Sequence, residues 1–158
     1  MTTSRWKPAV TVASVVERDG KFLLVEEETS DGVRWNQPAG HLEPDESIIA
    51  GAVRETLEET AHELTPTAWL GAYLAPAGDT AYLRFAIIGT VGEPVPGLAL
   101  DFGIHRAFWI DADGLRARPD MHRSPVVMRC VEDYVARQRA GEPFLPLHSI
   151  TYLDPEPR

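Results

Sequence analysis

The segment Arg54-Glu55-Thr56-Leu57-Glu58-Glu59 places three carboxylates within five residues. On a helix, at about 100° per residue, Glu55 falls midway between Glu58 and Glu59, which lie about 50° to either side. Ile49, Ala52, Val53, Thr56, Leu57 and Thr60 occupy the opposite arc. The pattern predicts a helix that buries one side and directs three anionic side chains outward at one spot. Like charges at such spacing cost roughly 0.2–0.5 kcal/mol per pair on an exposed helix. Two readings fit the hexapeptide by itself: a solvated acidic face, or a cluster that gathers a cation.

Composition narrows the classes of protein. At 158 residues the chain suits one well-cored domain, expected over residues 1–158 with flexible ends at 1–7 and 151–158. An apolar fraction of 44% with 25% charged residues is that of a water-soluble fold. No apolar run approaches the ~18 residues of a membrane span, and Met1-Thr2-Thr3-Ser4-Arg5-Trp6 lacks the apolar stretch of a signal peptide. A cytoplasmic location is the expectation. The single cysteine, Cys130, has no partner for an internal disulfide and falls on the apolar stripe of a helical pattern, as core filler does. A net charge of −9 argues against nucleic acid polymers and anionic membranes as partners. It leaves room for a small phosphorylated substrate whose charge a divalent cation offsets.

Along the chain, Val10 to Glu17 and Lys21 to Glu27 read as strands joined at Asp19-Gly20, a strong hairpin signal. Asp31-Gly32 marks another turn, and Trp35-Asn36-Gln37-Pro38-Ala39-Gly40 is a short extended piece closing in a Pro/Gly loop. The acidic helix runs from about Ser47 to His62. Strands follow near Trp69–Ala75, Ala81–Val91 and His105–Ile110, the last two separated by a Pro/Gly-rich loop from Gly92 to Gly103. A second helix starts at Ser124-Pro125 and stops at Gly141, with Val127, Cys130, Val131, Tyr134 and Val135 as its apolar stripe. From Glu142 a Pro-rich tail is expected to pack as irregular chain, fraying towards Arg158. Strands with two principal helices indicate an α+β fold, a mixed β-sheet covered on both faces.

Around the glutamates the spacing becomes specific: Gly40, five residues, Glu46, seven residues, Arg54-Glu55, two residues, Glu58-Glu59. This resembles the Nudix box, G-x5-E-x7-R-E-U-x-E-E-x-G-U with U aliphatic, the signature of Nudix hydrolases. Three positions depart from it: Thr56 and His62 replace aliphatic residues, and Ala61 replaces a glycine. Thr56 brings a hydroxyl that needs a partner, such as a carbonyl one turn back. Ala61 implies either a helix that runs on towards Leu64 or about 1 kcal/mol of strain in a left-handed end. His62 is expected on the acidic face, either as a ligand or proton carrier or, the preferred reading, as a solvated histidine whose charge suits a helix C-terminus.

The resemblance implies the Nudix fold, a mixed sheet sandwiched between α-helices (α/β/α), and a Mg²⁺-dependent hydrolase, with Mn²⁺ as the alternative ion. Hard carboxylate oxygens suit such ions, which neutralise a diphosphate and lower the pKa of bound water. Glu55, Glu58 and Glu59 match the family's metal-binding glutamates, with the carbonyl of Gly40 as a further ligand. Arg54 and Glu46 match the pair that links loop to helix and orients the catalytic glutamates. The general base is Glu55 or Glu58, with Asp101 and Glu93 as loop candidates for a base or extra ligand.

Beyond the box, Pro8 to Val16, Trp35 to Glu43, Leu83-Arg84-Phe85 and Arg123-Ser124-Pro125-Val126-Val127 are similar to the phosphatase NudJ group of that family. Members of that group release orthophosphate from nucleoside tri- and diphosphates and act on hydroxymethylpyrimidine diphosphate. Arg84, mid-strand among apolar neighbours, is expected either at a substrate phosphate or in an ion pair with the acidic helix. Trp35 either stacks on a substrate ring or packs in the core. Arg34 and Lys21 are further candidate phosphate contacts. Two other functions compete: a Nudix pyrophosphatase cutting dinucleotides or nucleotide sugars such as ADP-ribose, and a non-catalytic ligand sensor. The intact glutamates and the lack of a DNA-binding segment in these residues disfavour the sensor. Monomer and dimer stay equally open.

Overall fold

Residues of β1 (Ala9–Arg18) alternate between two cores, and that alternation organises the molecule, described here for residues 5–154 of a computed structural model. Val12 and Val16 face one cluster with Leu23, Ala52, Leu64 and Ile87, while Val15 faces the other with Leu24, Ile88, Val127, Cys130 and Val131. Burial on both faces explains why β1 reads as a nearly continuous β-branched run.

Asp19-Gly20 closes the expected hairpin, both residues at positive φ, onto β2 (Lys21–Thr29). β3 (Gly32–Asn36) and β4 (Ala39–His41) follow, then α1 (Ile48–Thr60). β5 (Leu64–Ala77), β6 (Thr80–Val91) and β7 (Ile104–Asp111) complete the strands. The principal sheet order is β3-β2-β1-β6-β5; β4 pairs with β1 and β7 with β2. The pairing of β1 with β6 is parallel and the others are antiparallel, so the sheet is mixed. A short helix, α2 (Ala112–Arg116), and α3 (Pro125–Ala140) follow β7. α1 covers one face of the sheet and α3 the other, the expected α/β/α sandwich.

Several boundaries differ from the sequence reading. β5 begins at Leu64 because Pro66 sits where the register with β6 shifts, on the terminal strand of the order, where a missing N–H is tolerated. α2 was not anticipated: Asp111 caps it by accepting from the Gly114 amide at 2.6 Å, and Gly114 masked the helical pattern. The tail packs as expected, with Trp69 and Leu145 exchanging backbone hydrogen bonds of 2.9 and 3.0 Å. Of the expected flexible ends, residues 1–4 and 155–158 lie outside the described residues. Cys130 is fully buried, and that burial pushes its thiol up to about 11, as befits a core residue.

Candidate active site

The acidic turn is aimed by the two ends of α1. Ser47 accepts from the Ala50 amide at 3.0 Å and starts the helix. At the other end Ala61 adopts φ 59°, so the helix stops there in a left-handed residue without glycine. That turn reverses the expectation for His62. The residue leaves the helical rotation, is buried, donates from Nδ1 to the Thr60 carbonyl at 2.7 Å, and packs edge-on to Trp109. It is neither solvated nor on the acidic side. Thr56 finds the anticipated carbonyl, Ala52 at 2.7 Å, and also the Ser14 hydroxyl at 2.8 Å. The loop before β7 closes over the helix end: Val95 and Asp101 donate backbone N–H groups to the carbonyls of Ala61 and Glu58 at 2.7 and 2.9 Å.

Gly40, on β4, faces this turn directly. A side chain there would run into the Glu55 carboxylate, so only glycine leaves room for it. Glu59 accepts from the Ala39 amide at 2.9 Å. Both Glu55 and Glu59 are buried, whereas the Glu58 side chain is 40% exposed, so two of the three acids point into the fold and not at solvent. Desolvation raises the pKa of Glu55, and it drives Glu59 up to about 8. Asp101 adds to the repulsion felt by both, which places it beside the cluster. Glu93 is exposed on the loop.

Arg54 braces the assembly. Its Nε and Nη2 donate to the two oxygens of Glu46 at 3.0 and 2.7 Å, Nη2 also reaches the His41 carbonyl at 3.1 Å, and Nη1 donates to Glu55 and Glu58 at 2.8 and 3.2 Å. These bonds raise the Arg54 pKa, Glu46 contributing most, and Arg54 in turn holds Glu46 below its ordinary value. Glu46 also accepts from the Glu43 amide at 2.8 Å, tying the loop to the helix.

As the side chains lie, no three acidic, histidine or cysteine groups among the described residues converge on one metal-sized point. Arg54 holds Glu55 and Glu58, and Ala39 holds Glu59. The chemistry of the donor set nevertheless suits a hard divalent cation: oxygen ligands only, two of them buried, with one guanidinium against three acids of the turn. Burial disfavours the charged form of both Glu55 and Glu59, which a nearby cation would offset.

A cleft of about 1180 Å³ opens from Ala39 and Gly40 between the sheet and α3. Arg84 lines it, buried, donating to the side-chain oxygens of Gln37 and Asn36 at 3.1 and 3.2 Å. No carboxylate lies within ion-pair distance of it among the described residues, so the ion pair with the acidic helix is not formed. Trp35 lies in the core against Phe108 and donates to Glu26 at 3.0 Å, outside the cleft lining. Arg34 donates to the Val33 carbonyl on β3, and Lys21 pairs with Arg18 at the hairpin; neither lines the cleft. Sequence reasoning passed over Thr11, Glu27 and Asn36, all cleft-lining. Glu27 carried a signal, an acid alternating into a strand, and burial raises its pKa while Arg123 at 3.3 Å opposes the rise.

A NUDIX domain model matches residues 5–129. The chain is 38% identical over 135 residues to the Phosphatase NudJ of Escherichia coli (strain K12), spanning 85% of this chain and 88% of that protein. Among solved structures, a NUDIX hydrolase from Nitrosomonas europaea aligns with a TM-score of 0.85 at 48% identity, over 94% of this chain and 99% of that one. A UDP-X diphosphatase aligns at 0.68 with 17% identity, over 86% of this chain and 67% of that chain, a likeness of fold alone. A family model over most of the sequence, and relatives this similar along nearly their whole length, show that the chain belongs to the Nudix hydrolase family.

Proposed function

We propose that the protein is a Mg²⁺-dependent phosphohydrolase that releases orthophosphate from nucleoside tri- and diphosphates or related small diphosphates such as hydroxymethylpyrimidine diphosphate. The carrying observation is the approach of Glu55 and Glu59 to the strand Ala39–Gly40, which also lines the cleft, with Glu58 half-exposed on the same helical turn. Glu55, Glu58, Glu59 and the Gly40 carbonyl would hold the ion. When bound, the ion supplies charge neutralisation at the phosphate oxygens and a more acidic water.

The chain's own groups do the rest. Arg54 and Glu46 are positioning residues: their paired hydrogen bonds hold loop and helix in one arrangement, so the glutamates need little reorganisation. Of the two candidate bases, Glu55 and Glu58, the more exposed Glu58 would take a proton from the attacking water. The similarity to the E. coli phosphatase supports orthophosphate release over cleavage to a nucleoside monophosphate. The same reading takes residues 1–158 as one Nudix domain.

Product analysis with ADP, ATP and ADP-ribose tests this. Orthophosphate from ADP and ATP is expected; nucleoside monophosphate from ADP-ribose, with no orthophosphate from the others, would establish the pyrophosphatase instead. Glu58→Gln and Glu59→Gln should each lower turnover by orders of magnitude with the circular dichroism spectrum unchanged. Near-normal rates would remove both from the ligand set.

A further inference from the structure

We propose that Arg84 and Thr11, beside the first turn of α3, form a phosphate subsite that works without a metal ion. Strand pairing sets four residues side by side on one face across β4, β1, β6 and β5: His41, Thr11, Arg84 and Tyr73 are successive register partners. All four line the cleft. Arg84 is 9% exposed, and its held partners are two neutral amides. Those amides are themselves pinned: Gln37 donates to the Val127 carbonyl at 2.8 Å and Asn36 to Glu27 at 3.3 Å. The guanidinium is therefore held in place without being neutralised, and burial pushes its pKa down.

The other cleft charges are paired. Arg123 meets Glu27 at 3.3 Å, Arg129 meets Asp133 at 2.9 Å, and Glu132 meets Arg116 at 3.8 Å. Arg84 is the lining arginine that lacks an acidic partner among the described residues. Next to it in the register, Thr11 is 7% exposed, and its hydroxyl is the one buried side-chain polar atom there with no hydrogen-bond partner. An orphan donor beside an unpaired guanidinium is the complement of a tetrahedral oxyanion, which offers several acceptors at once. A third feature adds to these two. Ser124 begins the 16-residue α3 without a side-chain capping bond, and Ser124, Pro125 and Val126 line the same cleft. The subsite takes a phosphate group of the substrate, or free orthophosphate, at the cleft end that adjoins Ala39 and Gly40. That the bound group belongs to a hydrolysed diphosphate rests on the proposed function; the anion affinity does not.

The experiment is a thermal-shift and ³¹P NMR titration of the full chain with sodium phosphate in excess chelator, against sodium chloride at matched ionic strength. A saturable, phosphate-specific rise in melting temperature is expected. Arg84→Gln should weaken phosphate by about tenfold or more. Arg84→Lys, which keeps the charge and loses the fork, should also weaken it. Thr11→Val should melt higher than the parent without ligand, its orphan hydroxyl gone, and still bind phosphate less tightly. That combination separates ligand contact from structural damage, and it decides the matter if Arg84→Gln does not fold. No phosphate-specific shift, or parental affinity in both Arg84→Gln and Thr11→Val, overturns the subsite. Turnover of ADP with Mg²⁺, measured on the same samples, keeps the two ideas apart. Hydrolysis without chelator-resistant phosphate binding removes the subsite alone. Phosphate binding without hydrolysis of any diphosphate removes the proposed reaction.

Discussion

Gly40 shows how one missing methyl group shapes the acidic cluster. The Glu55 carboxylate occupies the space a Cβ would take, and Glu55 is held there by Arg54 at 2.8 Å. Gly40→Ala should therefore fold, because the group that must move is the end of a flexible side chain. It should lose most of its turnover, because the displaced carboxylate is one of the three that would hold the ion. Circular dichroism and steady-state rates on the purified variant check both halves; a fully active Gly40→Ala would mean that Glu55 works from another position. His62 teaches the opposite lesson. Its place in the motif suggests the acidic side, yet one left-handed residue before it sends the ring into the core against Trp109.

The helices differ in how they are terminated, and the difference is measurable. Ser47 caps α1 with a side-chain bond to the Ala50 amide, whereas Ser124 makes no such bond at the start of α3. Ser47→Ala should cost about 1 kcal/mol of stability, and Ser124→Ala much less. At the end of α1, Ala61 occupies φ 59°, where a Cβ is strained. Ala61→Gly should stabilise the protein by about 1 kcal/mol. Denaturant melts of the three variants read these values, and equal losses for the two serines would contradict the capping assignment. The loop from Gly92 to Gly103 behaves as part of α1, since two of its amides close carbonyls at the helix end.

Across the whole molecule, stability is linked to the charge that the fold buries around Glu59. With divalent ions chelated, this carboxyl has a pKa of about 8 against an ordinary 4.5, chiefly through burial. The folded state thus holds a proton that the unfolded chain releases. Below the ordinary value both states are protonated and there is no penalty. As pH rises from 4.5 towards 8 the unfolded chain ionises and the folded one does not, so stability falls across that window. Melting temperatures in chelator should drop over this range, drop less steeply in Glu59→Gln, with Glu55 and Glu27 still raised by burial, and recover on adding Mg²⁺, which favours the ionised form. A chelated protein whose melting temperature rises across the window would contradict the burial of Glu59. Legibility follows the same division between near and far. The acidic turn, the Ser47 start and the Ser124–Gly141 helix were readable because each depends on residues within a turn or two. Arg84 was noticeable as a charge within an apolar strand, but its partners were not.

From sequence came the identity of the three acids, their common face, the Gly40 spacing, and a mixed sheet between two helices, because helical period and turn chemistry act over short separations. Tertiary structure decided that Glu55 and Glu59 are buried and not solvated, that Trp35 belongs to the core, and that Thr11 stands beside Arg84. Trp35 is set by β3 lying on β2 and against Phe108 of β7, and the buried glutamates by α1 lying on β4. The last depends on the parallel pairing of β1 with β6, which joins segments more than 70 residues apart, Thr11 to Arg84 among them. Nothing local to either segment encodes that register; it is set by the packing of both sheet faces at once.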